Sequence, residues 1–188
     1  MSEDTKSIDG ASYAEQILEA ARRNNTELLL SIKADLNNDQ EKLSKLINDT
    51  REKISQNSPL HIACQLGNWE FIDIVLDIEG VEIDPVNREG DTPLHLAVKY
   101  TTTEPEHGYF IVDNLLDAGS DPRIKDKSNL KPIDYASKDN VKLKELLESS
   151  EYAISMEEEA PEELASTEDF EDGDDDDEDE EGTPSDSD

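Results

Sequence analysis

The stretch Gly90-Asp91-Thr92-Pro93-Leu94-His95-Leu96-Ala97 decides the fold, because Ser58-Pro59-Leu60-His61-Ile62-Ala63 repeats its core 34 residues upstream. Repetition at such a period marks a stacked-repeat architecture. Thr92 and Ser58 are N-cap residue types whose hydroxyl accepts an orphan backbone N–H. Pro93 and Pro59 follow at the first helical position, where a missing N–H costs nothing. Each copy therefore starts a helix. Small residues come next (Ala63 and Cys64, Ala97 and Val98) and let a second helix approach closely. In the first copy a break at Gly67-Asn68 opens that second helix, Trp69 to Leu76.

These units resemble the ankyrin repeat. A third, degenerate copy runs from Ala118 to Asp126 and on through Asn129-Leu130-Lys131-Pro132-Ile133-Asp134-Tyr135-Ala136. Asn129 stands where the family has Gly, Lys131 replaces the capping Thr, and Asp134 replaces His. Asn tolerates the left-handed conformation of a tight turn, so the hairpin tip is expected to survive, and the lost Thr cap points to a terminal repeat. Upstream, Tyr13 to Leu30 reads as the helix pair of a first repeat, and downstream Val141 to Leu147 closes the stack. The resemblance covers residues 12–149. It implies an all-α ankyrin-repeat solenoid of three to four stacked helix pairs with short hairpin tips. Two insertions depart from the plain repeat. Asp35 to Asn57, with Leu36, Leu43, Leu46, Ile47 and Ile54, predicts a short extra helix, and Thr101 to Gly108 lengthens a later connection. Insertions in repeat arrays map to loops, and loops often touch partners.

Charge is divided unevenly along the chain. Of 188 residues with a formal net charge of −32, the first 144 hold all 17 Lys and Arg, and the last 44 hold 22 acids and no base. The run Asp174 to Glu181 offers too little apolar surface to offset the entropy of ordering, so residues 150–188 are expected to form a disordered acidic tail, with residues 1–11 disordered as well. No apolar run suffices to cross a bilayer, and Met1-Ser2-Glu3-Asp4 does not read as a signal peptide. One Cys cannot form an internal disulfide, which points to a reducing compartment, the cytoplasm or the nucleus.

Catalytic chemistry finds little support. The resemblance implies that His61 and His95, in the Pro-Leu-His position, bridge backbone groups of adjacent turns. His107 lies in an acidic loop and is expected to be solvated. Cys64 reads as a small buried residue, with no second Cys for a zinc or redox pair. Phosphate-binding Gly motifs are lacking, and the acidic run has no Gly-punctuated calcium-loop spacing. The expectation is a protein that is not an enzyme and uses no cofactor or metal.

Recognition is what remains. In ankyrin repeats partners meet the hairpin tips and the exposed face of the first helices. The resemblance places that surface here at Leu66, Arg88, Glu89, Asp91, Lys99, Tyr100, Lys127, Leu130 and Lys138. Leu66, Tyr100 and Leu130 are candidate anchors, since apolar and aromatic residues ringed by polar ones mark interfaces; packing against neighbouring loops is the alternative. An acidic tail attracts basic surfaces and competes for the Lys and Arg patches that nucleic acid would otherwise neutralise. The layout resembles that of small fungal ankyrin-repeat proteins with acidic C-termini, one of which escorts a newly made ribosomal protein. The expectation is thus a monomeric chaperone or escort of a basic protein client (a ribosomal protein, a translation factor or another nucleic-acid-binding protein), itself touching neither nucleic acid nor membrane. The alternative is a regulatory adaptor that holds a folded signalling partner, the tail being solubilising only.

Overall fold

The computed structural model describes residues 10–159. The expectations for residues 1–9 and 160–188 lie outside them. Helix α1 (Tyr13–Arg23) pairs with α2 (Thr26–Asp35), and α4 (Pro59–Leu66) with α5 (Trp69–Leu76). A third pair joins α6 (Pro93–Tyr100) to α7 (Pro105–Asp117), and a fourth joins a 3₁₀ turn (Pro132–Tyr135) to α8 (Val141–Glu159). Helix α3 (Gln40–Asp49) stands between the first two pairs. No strand occurs among the described residues. The inner row runs α1, α4, α6, 3₁₀ turn, each packed on the next.

The starts of the inner helices follow from their caps. Ser12 Oγ accepts from the Glu15 N–H, and the Glu15 carboxylate accepts from the Ser12 N–H. Ser58 and Thr92 do the same with a His as partner: each hydroxyl accepts from the amide of His61 or His95, and each imidazole Nδ1 accepts from the cap's own N–H. This satisfies two orphan donors per helix. In the fourth pair Lys131 has no hydroxyl to offer, and only the returning bond from its N–H to Asp134 (2.8 Å) remains. The resulting first helix is a single 3₁₀ turn.

The core is shared between neighbours. Ile17, Leu29, Ile32, Leu60, Phe71, Ile72, Leu94, Ile111, Leu115 and Leu143 are all fully or almost fully buried. The polar surface left between pairs is closed by side chains reaching backbone. Asn24, in the left-handed region at φ 53°, accepts from the Phe71 N–H (3.0 Å), and Asn68 donates to the Ala21 carbonyl (2.7 Å).

Both insertions are structured. Helix α3 buries Leu43 and Ile47 and packs on α1, and the Asn48 amide both donates to the Gly80 carbonyl and accepts from the Glu82 N–H (2.9 Å each). It props the connection of the next pair. Two residues of the expected helix fall outside it: Leu36 caps α2, and Ile54 is 78% exposed on the following loop. The second insertion becomes a turn and the start of α7, where buried Gly108 lies so close to Thr101 that a Cβ would meet its Cγ2 at 2.7 Å.

The last helix runs past residue 149, where the repeat domain was expected to end. Helix α8 continues through Glu159, held by Lys131 on Glu151 and by Arg123 on Glu158 (2.6 Å). Those two cations, from the preceding loop, give an acidic segment a reason to stay helical that its own composition lacks.

Candidate partner-binding surfaces

The hairpin tips form one edge of the stack. Asn87 and Asp126 occupy equivalent positions: the N–H of Asn87 donates to the Asp91 carbonyl (3.0 Å) and that of Asp126 to the Leu130 carbonyl (2.9 Å). Gly90 and Asn129 each take the left-handed corner, at φ 81° and 64°, and Gln56 takes the matching corner of the first tip at φ 60°. The tips are then laced together. Arg88 N–H donates to the Ser55 carbonyl, and Lys127 N–H to the Glu89 carbonyl, each at 2.9 Å. Arg88, Glu89 and Lys127 point their side chains outward and are exposed.

Behind the tips, polar bonds join the second pair to the third and the third to the fourth. His61 Nε2 donates to the Asp91 carbonyl (2.8 Å) and His95 Nε2 to the Leu130 carbonyl (3.2 Å). Carbonyls only accept, and the cap N–H groups on Nδ1 only donate, so each imidazole is fixed as the neutral Nε2–H form. Burial pushes His61 down to about 4 and lowers His95 as well. Lys99 pairs with Asp91 (2.7 Å) and lies 4.0 Å above the ring of Tyr135, whose hydroxyl donates to Asp126. Asp91 is therefore unavailable as a surface contact: it is buried, because its carboxylate closes the space between α6 and the fourth pair. Leu130 remains 37% exposed.

Asp91, His95 and Asp126 also present ligand atoms within 4.8 Å of one another. The set does not fit a metal ion. Both His95 nitrogens are engaged with backbone groups, and the Lys99 ammonium already supplies the positive charge beside Asp91. Cys64 is fully buried, and burial raises its thiol pKa, which suits a packing role and not a nucleophile.

The opposite edge, where first helices turn into second ones, carries an aromatic patch. Tyr100 leans over Gly67, so close that a Cβ there would meet its ring at 2.3 Å. His107 is held, not solvated: Nε2 donates to the Gly67 carbonyl (2.8 Å), and its ring lies 5.9 Å from Tyr100 and 6.4 Å from Phe110. Phe110 meets Trp69 edge-on at 4.6 Å. Leu66 and Phe110 stay nearly half exposed at 49% and 43%. Of this patch, Leu66 and Tyr100 were expected from the sequence, and Trp69, His107 and Phe110 were not. The available signal was the second insertion, which ends at His107 and Gly108, with Phe110 one helical turn beyond His107. Lys138 is exposed in the turn before α8. A groove of about 590 Å³ between α1 and residues 51–55 adds a third surface, lined by Ala14, Leu18 and Ile54 with Arg22, Arg51 and Lys53.

Stacked helix pairs, bonded hairpin tips and no assembled catalytic cluster among the described residues define a repeat protein built for protein interaction. Residues 17–126 match the ankyrin repeats, in three copies. The chain belongs to the ankyrin-repeat family. It is 45% identical to an ankyrin repeat-containing protein of Saccharomyces cerevisiae over 88% of this chain and 92% of that one. It is 36% identical to a probable 26S proteasome regulatory subunit of the same yeast, over 56% of this chain and 46% of that one. A subunit of yeast target of rapamycin complex 2 is 30% identical over 42% of this chain and 18% of its own length. The fourth helix pair lies beyond the matched repeats, as its missing cap and 3₁₀ start would lead one to expect.

Proposed function

We propose that this protein is an escort for a basic, nucleic-acid-binding client. The repeats supply the recognition surface, with Leu66 and Phe110 as apolar anchors among Tyr100, His107 and Trp69. The acidic segment after the fold covers the client's cationic surface in place of nucleic acid. The observation that carries this reading is the segregation of charge, with 22 acids and no base after Lys144. A polyanion competes for the same Lys and Arg side chains that nucleic acid neutralises, and it does so in a salt-dependent way. Cytoplasm or nucleus is the compartment that suits such a client.

The test is a pull-down from cells with the full chain and with a chain ending at Glu159, read by mass spectrometry across a salt series. Basic nucleic-acid-binding proteins should be enriched by the full chain at low salt and depleted when the tail is missing or salt is raised. The exposed aromatic patch favours a second reading, an adaptor that grips a folded partner through Leu66 and Phe110. Equal enrichment by both chains at every salt concentration would establish that reading over the escort.

A further inference from the structure

Cations are few in this chain, and seven of those described are spent in ion pairs: Arg22, Arg23, Lys42, Arg51, Lys99, Arg123 and Lys131. The other nine described cations make no ion pair among the described residues; Lys33, Lys45, Lys138, Lys142 and Lys144 are scattered over α2, α3, the turn before α8 and the start of α8, whereas four gather along the hairpin-tip edge. Lys53 on the first tip, Arg88 on the second, and Lys125 and Lys127 on the third are exposed and make no ion pair among the described residues. Glu89 is an exposed acid interleaved with them, and exposed Glu15 on α1 lies near Lys53. In a chain of net charge −32, a line of unpaired cations along one edge is a local inversion of sign. Lacing by Arg88 N–H on Ser55 and Lys127 N–H on Glu89 keeps the line continuous and rigid.

The exit of the acidic tail lies beside this line. Glu158, in the last turn of α8, is bonded through both carboxylate oxygens to Arg123 (2.6 and 2.9 Å). Arg123 is two residues from Lys125 and four from Lys127. Helix α8 therefore ends beside the base of the loop that carries the third tip, with residues 160–188 still to come. Neighbouring helices pack about 8–10 Å apart, so the first tip lies roughly 20 Å from the third. An extended chain covers that in about six or seven residues at ~3.3 Å each, far fewer than the tail contains.

We propose that the acidic segment within residues 160–188 folds back along the hairpin-tip cations Lys127, Arg88 and Lys53, so that the chain occupies its own tip edge until a more basic surface takes the tail away. Length, point of exit and charge all suit this occupant. The attraction is between exposed charges, so it is weak per contact, additive along the row and screened by salt. Arg88 and Lys127 thereby act as a reversible holder. The proposal goes beyond the escort reading and does not rest on it, because the interaction is within the chain and requires no client.

The experiment uses the full chain carrying Gly173→Cys with a nitroxide spin label; Cys64, fully buried, stays unmodified. Amide signals of Ser55, Arg88 and Lys127 are read by NMR against those of Lys33 on α2 and Lys45 on α3, cations outside the tips that also make no ion pair among the described residues. At about 50 mM salt the tip signals should lose roughly half their height or more while the reference signals hold, and about 0.5 M salt should restore them. The triple variant Lys53→Glu, Arg88→Glu, Lys127→Glu should abolish the effect at low salt with its amide spectrum otherwise folded. Uniform broadening of tip and reference signals would overturn the proposal. So would broadening that arises only when isotope-labelled chain without nitroxide is mixed with spin-labelled chain, since that assigns the tip edge to the tail of a second copy.

Discussion

The imidazole of His61 has a backbone donor on one nitrogen and a backbone acceptor on the other, in a site with no water-exposed surface. A proton has no place to go there, and burial accordingly holds its pKa at about 4. In the unfolded chain a His titrates near ~6.5, so between those values the unfolded state binds more protons than the folded one. The stability this residue contributes is complete above pH ~6.5 and is lost as pH falls toward 4, on the order of 3 kcal/mol in all. Urea unfolding of the native protein and of His61→Asn between pH 7 and 4.5 checks this: the native protein should show the steeper loss. Parallel pH profiles would mean that His61 is not the titrating group. Leu94 gives a simpler contrast, since it is fully buried while Arg88 is exposed. Leu94→Ala should cost about 2–5 kcal/mol and Arg88→Ala about 0.5 or less, by the same denaturation measurement. At this scale the sequence was informative wherever a residue's role is local. Asn129 at its left-handed corner was legible, because turn chemistry depends on neighbours in sequence; the His61 and His95 bridges came only with the family resemblance, since their acceptors lie 30 and 35 residues away. The burial of Asp91 and the bond from His107 to Gly67 were not legible, because their partners are Lys99 and a turn 40 residues away.

Helices show the same division. The inner helices and the extra helix α3 could be read from caps and apolar spacing, since both are properties of the segment itself. The end of α8 could not, because Glu151 and Glu158 are kept in register by Lys131 and Arg123 from another loop. The aromatic patch escaped for a related reason: Phe110 belongs to a second helix, and its exposure depends on how far the preceding insertion carries it. A truncation series separates fold from tail at this level. A chain ending at Glu159 should melt where the full chain does. A chain ending at Ser149 loses both ion pairs and the half-buried Ile154, and should melt several degrees lower, at about 2–4 °C for each kcal/mol of stability removed. Equal melting of the two truncated chains would show that the last ten residues of α8 add nothing to the stack.

Across the whole molecule, shape and charge are kept apart: the repeats carry the exposed apolar patch of Leu66 and Phe110, and the chain beyond Lys144 carries acid without base. If the escort reading holds, the two parts must act on different steps of binding. Long-range attraction raises the rate of encounter and fades with salt, whereas buried anchors hold the complex once formed. Removing residues 160–188 should therefore slow association with a basic client, flatten its salt dependence and leave dissociation nearly unchanged. Leu66→Ala with Phe110→Ala should instead speed dissociation, by about tenfold for each 1.4 kcal/mol of anchoring energy removed, while the salt slope of association stays as it was. Surface plasmon resonance of the four chains (native, tail-less, anchor-less and both changes together) against the client recovered by pull-down tests the separation. For distant parts that act independently, the combined chain should show the slow association of one and the fast dissociation of the other. A tail deletion that changes the off-rate as much as the anchor substitutions do would mean that the tail lies inside the final interface, and the division between steering and gripping would fail.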